Sequence, residues 1–254
     1  MSAGALELRL KAFRLPSFLA YHRELAARAQ DEAWSYVRYL EELAALEAQD
    51  RADRRIARLM KTSKLPRDKT LATLDVSRLP KTVRGQLTRL CEGDFLTGAT
   101  NVCIFGNPGV GKTHAMAAIG HELVRQGHAV FFTTVQALVE RLLAAKRDLS
   151  LARELRRLDR FDCLCLDDIG YVQQERAEME VLFTLLAERY ERRSVLITSN
   201  LVFSKWDQIF KDPMTTAAAI DRVVHHAVIL ELDVPSYRAE AARRRLGTSQ
   251  ERGD

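Results

Sequence analysis

The sequence predicts an α/β fold, a parallel five-stranded sheet flanked by helices, with a small all-helical N-terminal domain ahead of it. Three observations carry this. Five short apolar runs, 102–105, 129–133, 163–167, 195–198 and 227–232, alternate with helical patterns, and continuous apolar runs belong to strands covered on both faces. A glycine-rich turn, Gly106 to Gly111, joins the first run to a helical pattern. Between Leu6 and Lys64 there is no glycine and one proline, Pro16, while Ala, Leu, Glu and Arg dominate, which is helical composition.

The elements follow in order. Val37, Leu40, Leu43 and Leu46 recur every three residues, and Ile56 and Leu59 continue the stripe, so residues 1–66 form the helical domain. Pro66 among charges breaks this pattern and 71–80 looks irregular, which makes 67–80 a linker and 81–254 the second domain. Within 81–254 the sequence predicts helix 81–92, strand 102–105, helix 113–126, strand 129–133 and helix 135–146. Strand 163–167, helix 176–192, strand 195–198, helix 216–224 and strand 227–232 follow. A sheet of this kind places its ligand at the carboxyl ends of the strands.

At 254 residues the chain suffices for one α/β domain and a smaller appendage. An apolar fraction of 47% with 29% charged residues reads as globular, and no stretch has the apolar length that crosses a bilayer. The first ten residues lack a signal-peptide pattern, so a cytoplasmic location and no membrane partner are expected. Cys91, Cys103, Cys163 and Cys165 have no zinc-ligand spacing and read as small core hydrophobes.

The net charge is +5, and its distribution matters more than its size. From Asp50 to Lys69, Arg51, Arg54, Arg55, Arg58, Lys61, Lys64, Arg67 and Lys69 face three acidic residues. A second excess, including Arg147, runs from Arg141 to Arg160. Single basic runs are commonly solvated helix faces; two of them on one chain favour a polyanionic partner.

Gly106-Asn107-Pro108-Gly109-Val110-Gly111-Lys112-Thr113 fits G-x-x-x-x-G-K-[ST] between a strand and a helix, the context a phosphate-binding loop requires. Asn107, Pro108, Gly109, Val110, Gly111, Lys112, Thr113 and His114 are therefore the candidate nucleotide-binding residues, with Lys112 on the β/γ oxygens and the Thr113 hydroxyl on Mg²⁺. The run 161–166 ends in Asp167-Asp168: Asp167 is the candidate metal carboxylate and Asp168 the group that orients or deprotonates the attacking water. Asn200 follows the strand 195–198 at the end where the γ-phosphate belongs. Arg222 and Arg238 stand late in the chain, where each could meet phosphate of the same or a neighbouring subunit. His225 and His226 read as local packing groups.

In this order and spacing, Gly106-x-x-x-x-Gly111-Lys112-Thr113, Leu166-Asp167-Asp168-Ile169-Gly170-Tyr171, Ile197-Thr198-Ser199-Asn200, Asp221-Arg222-Val223 and Ser236-Tyr237-Arg238 resemble the IstB-like AAA+ ATPases. These are insertion-sequence transposition helpers related to the DnaC helicase loaders and the DnaA initiators. Arg14-Leu15-Pro16, Ser35-Tyr36-Val37-Arg38-Tyr39-Leu40 and the basic helix before Leu65-Pro66 extend the resemblance over nearly the whole chain. It implies an AAA+ P-loop NTPase that uses ATP and Mg²⁺, yields ADP, self-assembles on duplex DNA in the nucleoid, and recruits and stimulates an IstA-like transposase. It further implies a homo-oligomer with nucleotide at subunit interfaces, Asn200 as first sensor, Arg222 as arginine finger to a neighbour, and Arg238 as second sensor.

Many AAA+ proteins carry Asp-Glu where this chain has Asp167-Asp168, so a shorter reach to water and slow hydrolysis are expected. DNA contact is expected through phosphates with little base reading, first at Arg51, Arg54, Arg55, Arg58, Lys61 and Lys64 and then around Arg147. Two other readings remain open. A DnaC-like helicase loader shares the ATPase core, and a P-loop small-molecule kinase could use 141–160 as an arginine-rich lid. Asn200 and Arg222 fit attack by water at a shared interface better than they fit a kinase.

Overall fold

The computed structural model describes residues 3–169, 176–208, 220–224 and 227–237. Its helices are α1 (Ala3–Ala12), α2 (Pro16–Asp31), α3 (Tyr36–Ser63), α4 (Lys81–Glu92), α5 (Lys112–Arg125), α6 (Val135–Arg147), α7 (Leu151–Leu158) and α8 (Arg176–Arg189). Its strands are β1 (Asn101–Gly106), β2 (Val130–Thr134), β3 (Cys163–Asp167), β4 (Ser194–Ser199) and β5 (Ala227–Leu232). The chain divides into two compact units, Met1–Arg58 and Leu59–Asp254.

In the first unit α2 begins with Pro16, whose missing N–H is harmless at that position, and Leu15 before it supplies no side-chain cap. The orphan donors of this helix end are met from α3 instead. Buried Glu47 accepts from the Ser17 amide at 2.9 Å, and Asp50 accepts from the Ser17 hydroxyl at 2.5 Å. Leu43, 2% exposed, packs on the same side of α3 as Glu47.

In the second unit all five strands run parallel in the order β2-β3-β4-β1-β5, so β1 lies between β4 and β5 at the crevice where ligands bind in open α/β sheets. Helices cover the sheet because the strands are apolar on both faces: Val102 to Phe105 and Cys163 to Leu166 are buried throughout, as the continuous runs predict. Helix α5 is buried from Ala115 to His121 and lies against the sheet. All four cysteines are buried and unpaired; burial raises Cys91 to about 11 and Cys103 to about 12, which keeps them as inert thiols.

Three details depart from the sequence reading. Residues 151–158, read only as part of a basic run, form α7, with Leu151, Leu155 and Leu158 turned to the core. The segment 71–80, expected to be irregular, contains two single 3₁₀ turns at Leu71–Thr73 and Val76–Arg78, and Asp75 caps the second by accepting from the Ser77 amide at 3.2 Å. Segment 67–80 is also tied into the second unit, where His114 Nε2 donates to Thr70 O at 3.0 Å. Of the expected helix 216–224 only 220–224 falls among the described residues, and it is helical.

Arg189 closes the amino end of the sheet. It is 1% exposed and donates to the carbonyls of Leu158 (3.1 Å), Phe161 (3.0 Å), Asp162 (3.4 Å) and Ser194 (3.0 Å). Burial lowers its pKa to about 10, so it stays charged at neutral pH and is compensated chiefly by carbonyl dipoles. The arrangement joins the α7–β3 turn to the start of β4.

Candidate nucleotide-binding site

Strand register assembles the site. Pairing of Phe105 with Ser199 and of Leu166 with Ile197 brings Gly106, Asp167, Thr198 and Asn200 to one end of the sheet. The chain leaves β1 at Gly106, where a Cβ would lie 2.6 Å from Leu232 O; only glycine lets β1 and β5 stay paired there. The loop re-enters a helix through Gly111, whose φ of 99° is a left-handed conformation that glycine adopts freely. Gly111 gives α5 no side-chain cap, so first-turn amides of α5 are offered to an anion at this end.

Lys112 is folded over the loop, with Nζ donating to Gly106 O at 2.8 Å and Asn107 O at 3.0 Å. Thr113 Oγ1 donates to both oxygens of Asp167 at 3.0 Å. From the neighbouring strand Thr198 Oγ1 donates to Asp167 Oδ1 at 2.6 Å and accepts from the Asp168 amide at 2.8 Å. One hydroxyl thus fixes both carboxylate-bearing residues. Asp168 sits at φ 68°, a region in which Asp is enriched among non-glycine residues. Asn200 Oδ1 is buried with no hydrogen-bond partner among the described residues, and buried polar atoms are rarely left so. Behind it the chain is held by Trp206, fully buried, whose Nε1 donates to Leu201 O at 3.0 Å.

Two further segments join the loop. The Tyr237 amide donates to Gly109 O at 3.0 Å and its hydroxyl to Asp75 O at 3.1 Å, while the Arg78 guanidinium lies 3.9 Å from the centre of the Tyr237 ring. His114, expected among the nucleotide-binding residues, points its ring at Thr70 and Thr73, with Thr73 Oγ1 3.1 Å from Nε2. Thr198, Arg78 and Tyr237 were assigned no role from sequence. The register pairing locates Thr198, but no local pattern marks Arg78. Arg238, and the Gly170-Tyr171 and His225-His226 positions, lie outside the described residues.

Arg222 is not brought to this loop. Asn101, the first residue of β1, donates through Nδ2 to Arg222 O at 3.3 Å and Val223 O at 3.1 Å. That places the Arg222 backbone at the amino end of β1, roughly 16 Å from Gly106 at about 3.3 Å per strand residue. Its guanidinium stacks 4.3 Å from the Phe183 ring centre, beside an open cavity of about 330 Å³ lined also by Thr184, Ala187, Glu188 and Arg192. Nη1 is buried there with no hydrogen-bond partner among the described residues.

Arg51 donates to Glu47 at 2.7 Å and to Arg14 O at 3.0 Å, and Arg54 to Asp50 O at 2.9 Å and Glu47 at 3.5 Å, so both have donors engaged in holding the first unit together. Arg51, Arg54, Arg55, Arg58, Lys61, Lys64 and Arg147, the candidate DNA-contacting residues, are all exposed. Among the described residues no cluster of three or more His, Cys, Asp or Glu could hold a metal, and no helix is long and apolar enough to cross a membrane.

Residues 8–245 match the family model of the IstB-like ATP binding protein. The chain is 42% identical over 238 residues to an insertion sequence ATP-binding protein of Sinorhizobium fredii, covering 93% of this chain and 80% of that one. It is 34% identical over 240 residues to the ATP-binding protein of insertion sequence IS21 from Pseudomonas aeruginosa, covering 94% and 90%. The fold is similar to AMPPCP-bound DnaA from Aquifex aeolicus (TM-score 0.57, 18% identity, 73% of this chain and 56% of that one) and to DnaI (TM-score 0.56, 22% identity, 66% and 95%). With an intact phosphate loop and a match over nearly its whole length, this chain belongs to the IstB-like family of insertion-sequence ATP-binding proteins.

Proposed function

We propose that this protein is an ATP-dependent transposition helper: it binds ATP, self-assembles on duplex DNA, recruits and stimulates an IstA-like transposase, and resets by slow hydrolysis. The observation that carries the reading is the Asp167 carboxylate held between the Thr113 and Thr198 hydroxyls at the end of β3. A hydroxyl and a carboxylate are hard oxygen donors of the kind Mg²⁺ takes, so Thr113 and Asp167 would hold the ion. When bound, Mg²⁺ offsets the charge of the phosphates.

The chain's own residues do the rest. First-turn amides of α5 receive phosphate oxygens, and Lys112 exchanges the Gly106 and Asn107 carbonyls for the β/γ oxygens. Asn200 orients the attacking water, and Asp168 accepts its proton as the bond to the γ-phosphorus forms and ADP leaves. Because a left-handed backbone suits Asp better than a longer side chain, the short Asp168 fits its position at the expense of reach. Turnover below about 1 s⁻¹, under the ordinary range of enzymes, is expected in a steady-state phosphate-release assay.

Thr198→Val keeps the shape of the side chain and removes the hydroxyl that fixes Asp167 and Asp168. It is expected to lower Mg²⁺-dependent turnover by about 10–100-fold, the usual effect of losing a group that orients a metal ligand, with ATP binding by Lys112 retained. Unchanged turnover would remove Thr198 from the site.

Sedimentation of labelled duplex with ATP, with ADP and with Lys112→Ala tests the function as a whole. ATP-dependent oligomers on DNA, absent in the variant, are expected, and these should capture transposase and not a replicative helicase. A monomer indifferent to DNA in every state would overturn the reading in favour of a small-molecule kinase.

A further inference from the structure

Leu149 is in an unfavourable place twice over. It is 96% exposed, and its φ is 52°, a left-handed conformation that is costly for any residue with a branched chain and free for glycine. It sits between α6 and α7, where the Leu149 amide donates to Lys146 O at 3.2 Å and the Ser150 amide to Ala145 O at 2.8 Å. This is a Schellman helix end, whose left-handed position is usually glycine. Neither packing nor backbone geometry of the folded chain asks for leucine here.

Its surroundings point to an occupant. Helix α7 is docked by Leu151, Leu155 and Leu158, and its opposite face presents Arg153, Arg156 and Arg157, continued by Arg160 just beyond its end, all exposed. These positions repeat at i, i+3, i+4 and i+7, one stripe of the helix. Arg157 also lies 3.7 Å from Glu154. Exposed Arg147 precedes the tip by two residues, with exposed Asp148 the one acid between them. An apolar tip flanked by a cationic stripe matches the chemistry of duplex DNA, with phosphates outside and stacked bases within. Apolar wedges, leucine among them, are known to enter between base steps and unstack them.

We propose that Leu149 is such a wedge, inserted at a base step while the α7 arginines hold the flanking phosphates. The inference rests on the DNA binding proposed above and adds an action on the bases to it. Insertion favours steps that unstack easily, pyrimidine–purine steps first, so the protein would prefer deformable sites without reading base edges.

Permanganate oxidises thymines that have left the stack, so it tests the inference at any position of a duplex that the ATP-bound protein occupies. Wild type is expected to raise thymine reactivity at TA steps several-fold. Leu149→Gly and Leu149→Ala are expected to abolish that increase while keeping duplex affinity within about fivefold, since phosphate contacts dominate affinity. Leu149→Gly should melt at the same temperature as wild type or higher, because glycine relieves the left-handed strain. Arg153→Glu with Arg156→Glu should weaken binding more than about tenfold and flatten its salt dependence. Wild type that binds duplex without thymine hyper-reactivity, or Leu149→Gly that retains it, overturns the wedge alone. Wild type that fails to bind duplex with ATP overturns the DNA-binding reading as well.

Discussion

Arg222→Ala is expected to reduce ATP turnover by about 10³-fold or more, the usual contribution of an arginine finger, without weakening ATP binding by the isolated chain. The expectation follows from placement. The Arg222 backbone is fixed to Asn101 at the amino end of β1, while the phosphate loop starts at the carboxyl end of that strand. The guanidinium rests on Phe183 beside an open cavity, with Nη1 buried and without a hydrogen-bond partner among the described residues. In the function proposed above, a cation held so far from its own loop is expected to serve hydrolysis by reaching the nucleotide of a second copy. The check is a mixture: Lys112→Ala subunits keep Arg222, and Arg222→Ala subunits keep a working loop. Each variant alone should be inactive and the mixture should regain turnover. A mixture that stays inactive, beside an Arg222→Ala protein that still binds ATP, would contradict a role in trans.

Arg189→Met is expected to cost about 3–5 kcal/mol in urea unfolding, the range for removing one partner of a buried charged network. The side chain is 1% exposed and serves the carbonyls of Leu158, Phe161, Asp162 and Ser194. Methionine fills the stem's volume but removes the guanidinium donors from all four carbonyls, of which Leu158 O keeps the Phe161 amide at 3.2 Å. At about 2–4 °C per kcal/mol for a chain of this size, the thermal midpoint should fall by roughly 6–20 °C. An effect below about 1 kcal/mol would mean that water replaces the guanidinium.

Much of this was legible because the signals were local. The strands were continuous apolar runs, and Gly106 to Thr113 and Asp167-Asp168 stood at strand ends, so sheet, helices and site end followed from spacing. What stayed hidden depended on contacts that spacing along the chain does not show. Arg51 and Arg54 stand in the basic run as candidate DNA contacts, yet both pair with Glu47, which also receives the Ser17 amide. Thr198 read as an ordinary strand residue until the register of β3 on β4 set it beside Asp167. Helix α7 lies inside a basic run in which three leucines are the better signal, and neither the exposure nor the left-handed φ of Leu149 is written in the sequence.

The central claim is that one copy binds ATP at Lys112 and a second copy completes the site. The measurement that tests it most directly is ATP turnover per subunit as protein concentration rises, with and without duplex DNA. Specific activity is expected to climb with concentration and to reach its plateau at lower concentration when DNA is present. Specific activity that is flat across the range and indifferent to DNA would contradict it.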